Sequence, residues 1–154
     1  MARDPIPTWF FSLVVVRLGH RFLVVQERKH GQLWYLPAGR AEAGETLVEA
    51  ACRETLEEAG IVIVVEGLIR LEVTPQPGAT RVRAVFVARP ADDTPPKSVA
   101  DDESLGARWI TLEELDALPM RGPEVRAWFE YVARGGFIAP LRTLAHEGDP
   151  LDLI

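Results

Sequence analysis

The chain is short of positive charge, has a single cysteine and lacks any long apolar run. Against 23 Asp and Glu stand 17 Lys and Arg, for a formal net charge of -6. That balance argues against non-specific nucleic-acid binding, which needs a basic footprint. One cysteine, Cys52, cannot close an internal disulfide, which fits a reducing compartment. Leu13–Val16 is far shorter than the roughly 20 apolar residues of a membrane-spanning helix. The opening Met1-Ala-Arg-Asp-Pro-Ile-Pro has no basic-then-apolar leader. No repeat, low-complexity tract or linker divides the chain. The expectation is one cytoplasmic domain over residues 1–154 that contacts neither membrane nor nucleic acid.

The acidic excess lies in two places. Residues 39–61 hold six Glu (42, 45, 49, 54, 57 and 58) against Arg40 and Arg53, a net of -4. Asp101, Asp102 and Glu103 add -3, so the remainder sums to +1.

Trp9–Arg17 and Phe22–Gln26 are aromatic and β-branched, and Leu18-Gly19-His20 between them suits a turn. Both runs are almost wholly apolar, as in strands covered on two faces. Leu33–Leu36 reads as a short strand stopped by Pro37, and Ala38–Glu45 as a loop. Thr46 opens a helix that Gly60 closes. Ile61–Val65 and Leu68–Val73 are strands bulged at Glu66-Gly67, followed by a turn over Thr74–Ala79 and a strand over Thr80–Arg89. Residues 90–106 are polar and aperiodic, long enough for a functional loop. A strand over Ala107–Ile110, a capping box at Thr111–Glu114 and a helix over Pro123–Arg134 complete the order. Residues 137–154 are expected to be loosely ordered or to dock late. Mixed strands and helices predict a layered α/β or α+β fold.

On a helix that starts at Leu47, the pitch of 3.6 residues per turn gathers Glu54, Glu57 and Glu58 onto one side. Val48, Ala51, Cys52, Thr55, Leu56 and Ala59 occupy the adjoining arc, read as buried. Like charges three and four residues apart destabilise a helix. Two readings stand: a solvated acidic face, or oxygen ligands for Mg²⁺ or Mn²⁺.

The wider pattern decides between them. Gly39, five residues, Glu45, seven residues, then Arg53-Glu54-Thr55-Leu56-Glu57-Glu58-Ala59-Gly60-Ile61 resembles the signature of the Nudix hydrolases at its fixed positions. Thr55 stands where that family usually has an aliphatic residue. Trp34-Tyr35-Leu36-Pro37-Ala38 is similar to the usual lead-in. The likeness is strongest to members acting on 8-oxoguanine nucleoside diphosphates. It continues through Arg83–Pro90 and Glu103-Ser104-Leu105 to Trp109, covering about residues 10–134.

The resemblance implies an α/β/α sandwich with a mixed sheet and a loop–helix–loop catalytic motif. It implies hydrolysis of a nucleoside diphosphate linked to a second group. Carried over by position, Glu54, Glu57 and Glu58 would bind Mg²⁺ with the Gly39 carbonyl, and Arg53 with Glu45 would orient them. The chemistry asks for this, because divalent ions offset the charge that repels an incoming hydroxide. Glu103, six residues before Trp109, best fits the place of the general base; a Glu of the box is the alternative. Arg40, Arg81, Arg83 and Trp34 are candidate substrate contacts, against solubility charges for the arginines and core packing for Trp34 and Tyr35. Phe10, Trp128 and Phe129 read as core. His20, His30 and His146 lack metal-ligand spacing. Cys52 reads as a small inert residue. A modified nucleoside di- or triphosphate is the first substrate class, and ADP-ribose or a nucleotide sugar the second, with Pro75 and Pro77 near the place of a family proline. A nucleotide-binding sensor without catalysis is a further alternative. Family members often dimerise.

Overall fold

The computed structural model describes residues 2–151. Chain order runs β1 (Thr8–Leu18), β2 (Arg21–Gln26), β3 (Trp34–Tyr35), β4 (Ala38–Arg40), α1 (Leu47–Ala59), β5 (Ile63–Gln76), β6 (Ala79–Pro90), β7 (Gly106–Ile110), α2 (Leu112–Leu115) and α3 (Glu124–Ala133). Apolar β-branched runs form the long strands, and Gly19, at φ +62, makes the turn between β1 and β2.

The strands make one mixed sheet in the order β3-β2-β1-β6-β5, with β4 paired to β1 and β7 paired to β2. Among the strand pairs of the described residues, only β1 and β6 run parallel, in register from Thr8 opposite Thr80 to Val16 opposite Ala88. Alternation along β1 sends Leu13 and Val15 to one face and Val14 and Val16 to the other. The first face packs under α3, where Phe22 and Phe129 stack with ring centroids 4.5 Å apart. The second packs under α1, around Leu23, Val25, Ala51, Ala59 and Phe86. Two covered faces make this the expected α/β/α sandwich. Each large side chain buried in either layer contributes roughly 1.5–3 kcal/mol.

Several elements differ from the sequence reading. Ala38–Arg40, read as loop, pairs with Phe11–Leu13 and becomes β4. The strand read over Leu33–Leu36 keeps only Trp34 and Tyr35. The hairpin of β5 and β6 continues to Gln76 opposite Ala79, so the turn shrinks to Pro77 and Gly78. Pro75 is accepted because β5 is an edge strand and its missing donor faces outward. The bulge expected at Glu66-Gly67 lies within the register shifts between Val65 and Gly67 and between Leu68 and Arg70.

Two residues read as buried are exposed: Phe10, 42% accessible near the free end of β1, and Leu56, 50% accessible. The buried arc of α1 is rotated toward the acidic side. Ala50, which lies between Glu54 and Glu57 around the helix, is buried, whereas Val48 and Cys52 are not fully covered. The sheet therefore covers part of the acidic arc. His20, His30 and His146 are exposed.

The tail docks more firmly than expected. Ala139 exchanges both backbone hydrogen bonds with Leu68, at 2.8 and 2.9 Å, and Leu141 and Leu144 pack on the α1-side core. Residues 152–154 of that predicted tail lie outside the described residues. A Cβ at Gly67 would sit 2.3 Å from the Ile138 Cγ2 and 2.6 Å from the Ala139 carbonyl oxygen. Gly67→Ala should therefore lower unfolding stability by about 1–3 kcal/mol in urea titrations, by forcing the tail off β5. An unchanged midpoint would show that the tail does not hold this position.

Candidate active site

α1 begins where the Thr46 hydroxyl accepts from the Glu49 amide at 3.1 Å. It stops at Gly60, whose φ of +69 suits the left-handed cap and whose amide donates to the Leu56 carbonyl. The buried Ser12 hydroxyl donates to the Leu47 carbonyl at 2.6 Å, tying the first turn of α1 to β1. These anchors set the rotation that turns Glu54 and Glu58 toward β4.

Arg53 gathers the box. Its Nε and Nη2 donate to the two Glu45 carboxylate oxygens at 2.7 and 3.0 Å, a forked pair. Its Nη1 donates to Glu54 at 2.8 Å and to Glu57 at 3.1 Å. Its Nη2 also donates to the Arg40 carbonyl at 3.1 Å. Five N–H donors meet five acceptors, so the guanidinium is saturated. The Arg53 bond, then the Glu42 amide, hold the Glu45 carboxyl below its ordinary value, and the pairing holds Arg53 above its own.

Glu54 fills the space that Gly39 leaves open. A Cβ at Gly39 would lie 2.0 Å from the Glu54 carboxyl carbon, so only glycine admits that carboxylate against β4. Burial raises the Glu54 carboxyl, with Arg53 opposing. Glu58 lies deeper. Burial first, then the charges of Glu54 and Glu27, push its carboxyl up to about 9. Glu57 is the most accessible of the three and leans to Arg53.

Among the described residues no three His, Cys, Asp or Glu side chains form a closed metal cluster. The donors still suit a hard divalent ion. All are oxygens, the Gly39 cradle holds one carboxylate in place, and Glu58 sits deeper in the same cluster, where a bound cation would favour its charged form.

The loop before β7 is fastened to the C-terminal end of α1. The Lys97 ammonium donates to the Glu57 carbonyl and pairs with Asp101 at 2.7 Å, while its amide donates to the Ala59 carbonyl at 2.8 Å. A cation at a helix C-terminus offsets the macrodipole. The buried Ser104 hydroxyl donates to the Glu58 carbonyl at 2.6 Å. Lys97 holds the Asp101 carboxyl down at about 2. Glu103 is exposed beside Ser104, its amide bound to Asp101. Its backbone is thereby brought to the end of the helix that carries Glu57 and Glu58.

The candidate substrate arginines lie away from the carboxylate cluster. The register of β1 with β4 and β6 puts Arg40, Phe11 and Arg83 on the α3 face, opposite the Gly39 cradle. Arg81 covers the Phe11 ring at 4.2 Å. Arg83 is tied to Glu72 at 2.7 Å and covers Trp128 at 5.4 Å. Trp34 is half-buried, with the Arg108 guanidinium over its ring at 4.7 Å. Tyr35 is core, and burial with its bond to Glu124 pushes its hydroxyl up to about 12. None of the four substrate candidates has its side chain in the carboxylate cluster.

Sequence reasoning missed Lys97, Ser104 and Glu27. Lys97 left a faint signal as one of two lysines in the chain. Glu27 left another, a charge that continues the Leu23, Val25 alternation onto the α1 face.

The NUDIX domain pattern matches residues 10–131. The chain belongs to the Nudix family. It is 42% identical over 115 residues to human 8-oxo-dGDP phosphatase NUDT18, covering 73% of this chain and 34% of that protein. It thus spans about a third of that relative's length. It is 39% identical over 113 residues to phosphatase NudJ of Escherichia coli K12, covering 72% of this chain and 74% of NudJ. A solved Nudix hydrolase of Nitrosomonas europaea superposes with a TM-score of 0.76 at 26% identity, covering 92% of this chain and 99% of that one.

The raised Glu58 carboxyl has a consequence for stability. The folded state binds this proton more tightly than the unfolded chain does. Its contribution is therefore full below the unfolded value near 4.5 and is lost as pH rises toward about 9. In chelator, the melting temperature of the wild type should fall across that window more steeply than that of Glu58→Gln. Parallel curves would show that Glu58 ionises normally.

Proposed function

We propose that this chain is a divalent-cation-dependent hydrolase of the phosphoric anhydride in a nucleoside diphosphate linked to a second group. A modified or oxidised nucleoside di- or triphosphate is the substrate class. One observation carries the reading: a saturated Arg53 holds Glu45, Glu54 and Glu57 on one side of α1, next to a Gly39 cradle and a half-buried Glu58. The similarity to an 8-oxo-dGDP phosphatase supports the substrate class.

Glu54, Glu57, Glu58 and the Gly39 carbonyl would hold Mg²⁺ or Mn²⁺. Such an ion, when bound, offsets phosphate charge and acidifies a water. The chain's own groups do the rest. Arg53 fixes the carboxylates before substrate arrives, so little reorganisation is left for the reaction. Glu103, on the loop pinned by Lys97 and Ser104, accepts the proton of the attacking water. The water oxygen forms the new bond to phosphorus, and the anhydride bond on the far side breaks with its electrons on the leaving phosphate oxygen. The Glu45 and Arg53 pair keeps the box loop closed on the helix throughout.

The test is a panel of nucleotides that includes 8-oxo-dGDP, 8-oxo-dGTP and ADP-ribose, with Mg²⁺ and with phosphate products counted by chromatography. Turnover of an oxidised guanine nucleotide is expected, and no turnover of any member overturns the proposal. Glu57→Gln should lower kcat by about a hundredfold or more with an unaltered melting curve; unchanged activity refutes its role. Glu103→Gln should lower kcat while leaving Mn²⁺ affinity intact. If kcat stays at the wild-type value, the base lies elsewhere.

A further inference from the structure

We propose that Glu27, just past the end of β2 and outside the box, supplies a further carboxylate to the divalent-cation site. This rests on the cation-dependent reading above.

Strand geometry puts Glu27 in place. Leu23 and Val25 point into the α1-side core, and Glu27 follows at the same alternation. Its amide donates to the Leu33 carbonyl at 3.0 Å. The preceding Gln26 carbonyl accepts from the Leu105 amide at 2.9 Å, and Gln26 pairs with Gly106. The end of β2 therefore lies beside the segment whose Ser104 is bonded to the Glu58 carbonyl. Glu27 is close enough for its charge to act on the Glu58 carboxyl.

The side chain is incompletely satisfied. Its Oε1 meets Arg121 at a long 3.3 Å. Its Oε2 is the one buried side-chain oxygen without a hydrogen-bond partner among the described residues. A buried acceptor left unpaired is costly, and a carboxylate more so. A plain ion pair with arginine would engage both oxygens through the guanidinium fork, and this one does not. Glu27 lies near enough to the Glu58 carboxyl for its charge to act there, with one oxygen held by Arg121 and the other without a hydrogen-bond partner. That is the state of a ligand whose remaining partner is a cation or a cation-bound water.

Mn²⁺ alone, without nucleotide, tests this. Free Mn²⁺ is counted by electron paramagnetic resonance during titration of the full chain. The wild type, Glu27→Gln, Arg121→Met and Glu58→Gln are compared. Melting curves in chelator confirm folding, and Glu27→Met serves as a second variant. We expect Glu27→Gln to weaken Mn²⁺ binding by about tenfold or more. Its melting temperature in chelator should be no lower than that of the wild type, because a carboxylate with an unpaired buried oxygen is gone. Arg121→Met, which keeps the carboxylate, should bind Mn²⁺ as the wild type does. The inference fails if Glu27→Gln titrates like the wild type while Glu58→Gln does not; the cation reading then stands without Glu27. It also fails if Arg121→Met weakens binding as much as Glu27→Gln, since the ion pair would then be the cause. A wild type that binds no Mn²⁺ overturns both.

Discussion

Five hydrogen bonds from one guanidinium hold the candidate site together. Arg53 spends every N–H on Glu45, Glu54, Glu57 and the Arg40 carbonyl. Without it, glutamates on one side of one helix would repel each other, two of them in the last turn, where the macrodipole already disfavours anions. Its planar fork also fixes directions, which a lysine's point charge would not. The box loop, the short strand β4 and the helix are joined through this one side chain.

Around that centre the fold supplies three supports. β4 offers a glycine where a carboxylate needs room. β1 ties down the first turn of α1 through Ser12. The long polar loop closes on the last turn through Lys97 and Ser104, so a segment without regular structure becomes a rigid neighbour of the carboxylates. All three act on backbone carbonyls or on empty space, and none competes with the carboxylate oxygens.

The sequence made much of this legible. Thr46 and Gly60 marked α1 because caps are local chemistry, and Glu45, Arg53, Glu54, Glu57 and Glu58 stood at fixed spacings. What stayed hidden depends on the partner an element meets. β4 looked like loop because its three residues become a strand only by pairing with Phe11–Leu13. Leu56 looked buried because a helical wheel does not say where the sheet lies. Phe10 looked like core because its apolar type does not reveal that it sits near an uncovered strand end. Arg81 and Arg83 do share a face, as alternation requires, but which face is decided by the parallel register with β1. Lys97 and Glu27 act through long-range contacts that no local pattern encodes.

The parallel pairing of β1 with β6 reaches beyond the site. Thr8 finds its partner at Thr80, and everything between, including the whole box, is enclosed by that closure. Local hairpins such as β5 with β6 can zip early, but this central pair must close a long loop first, and such topologies fold slowly. On a ribosome, β1 has no parallel neighbour until β6 has emerged. The charged helix is thus synthesised well before the sheet that shields it is complete. Its small apolar stripe of alanines leaves little sticky surface exposed during that wait.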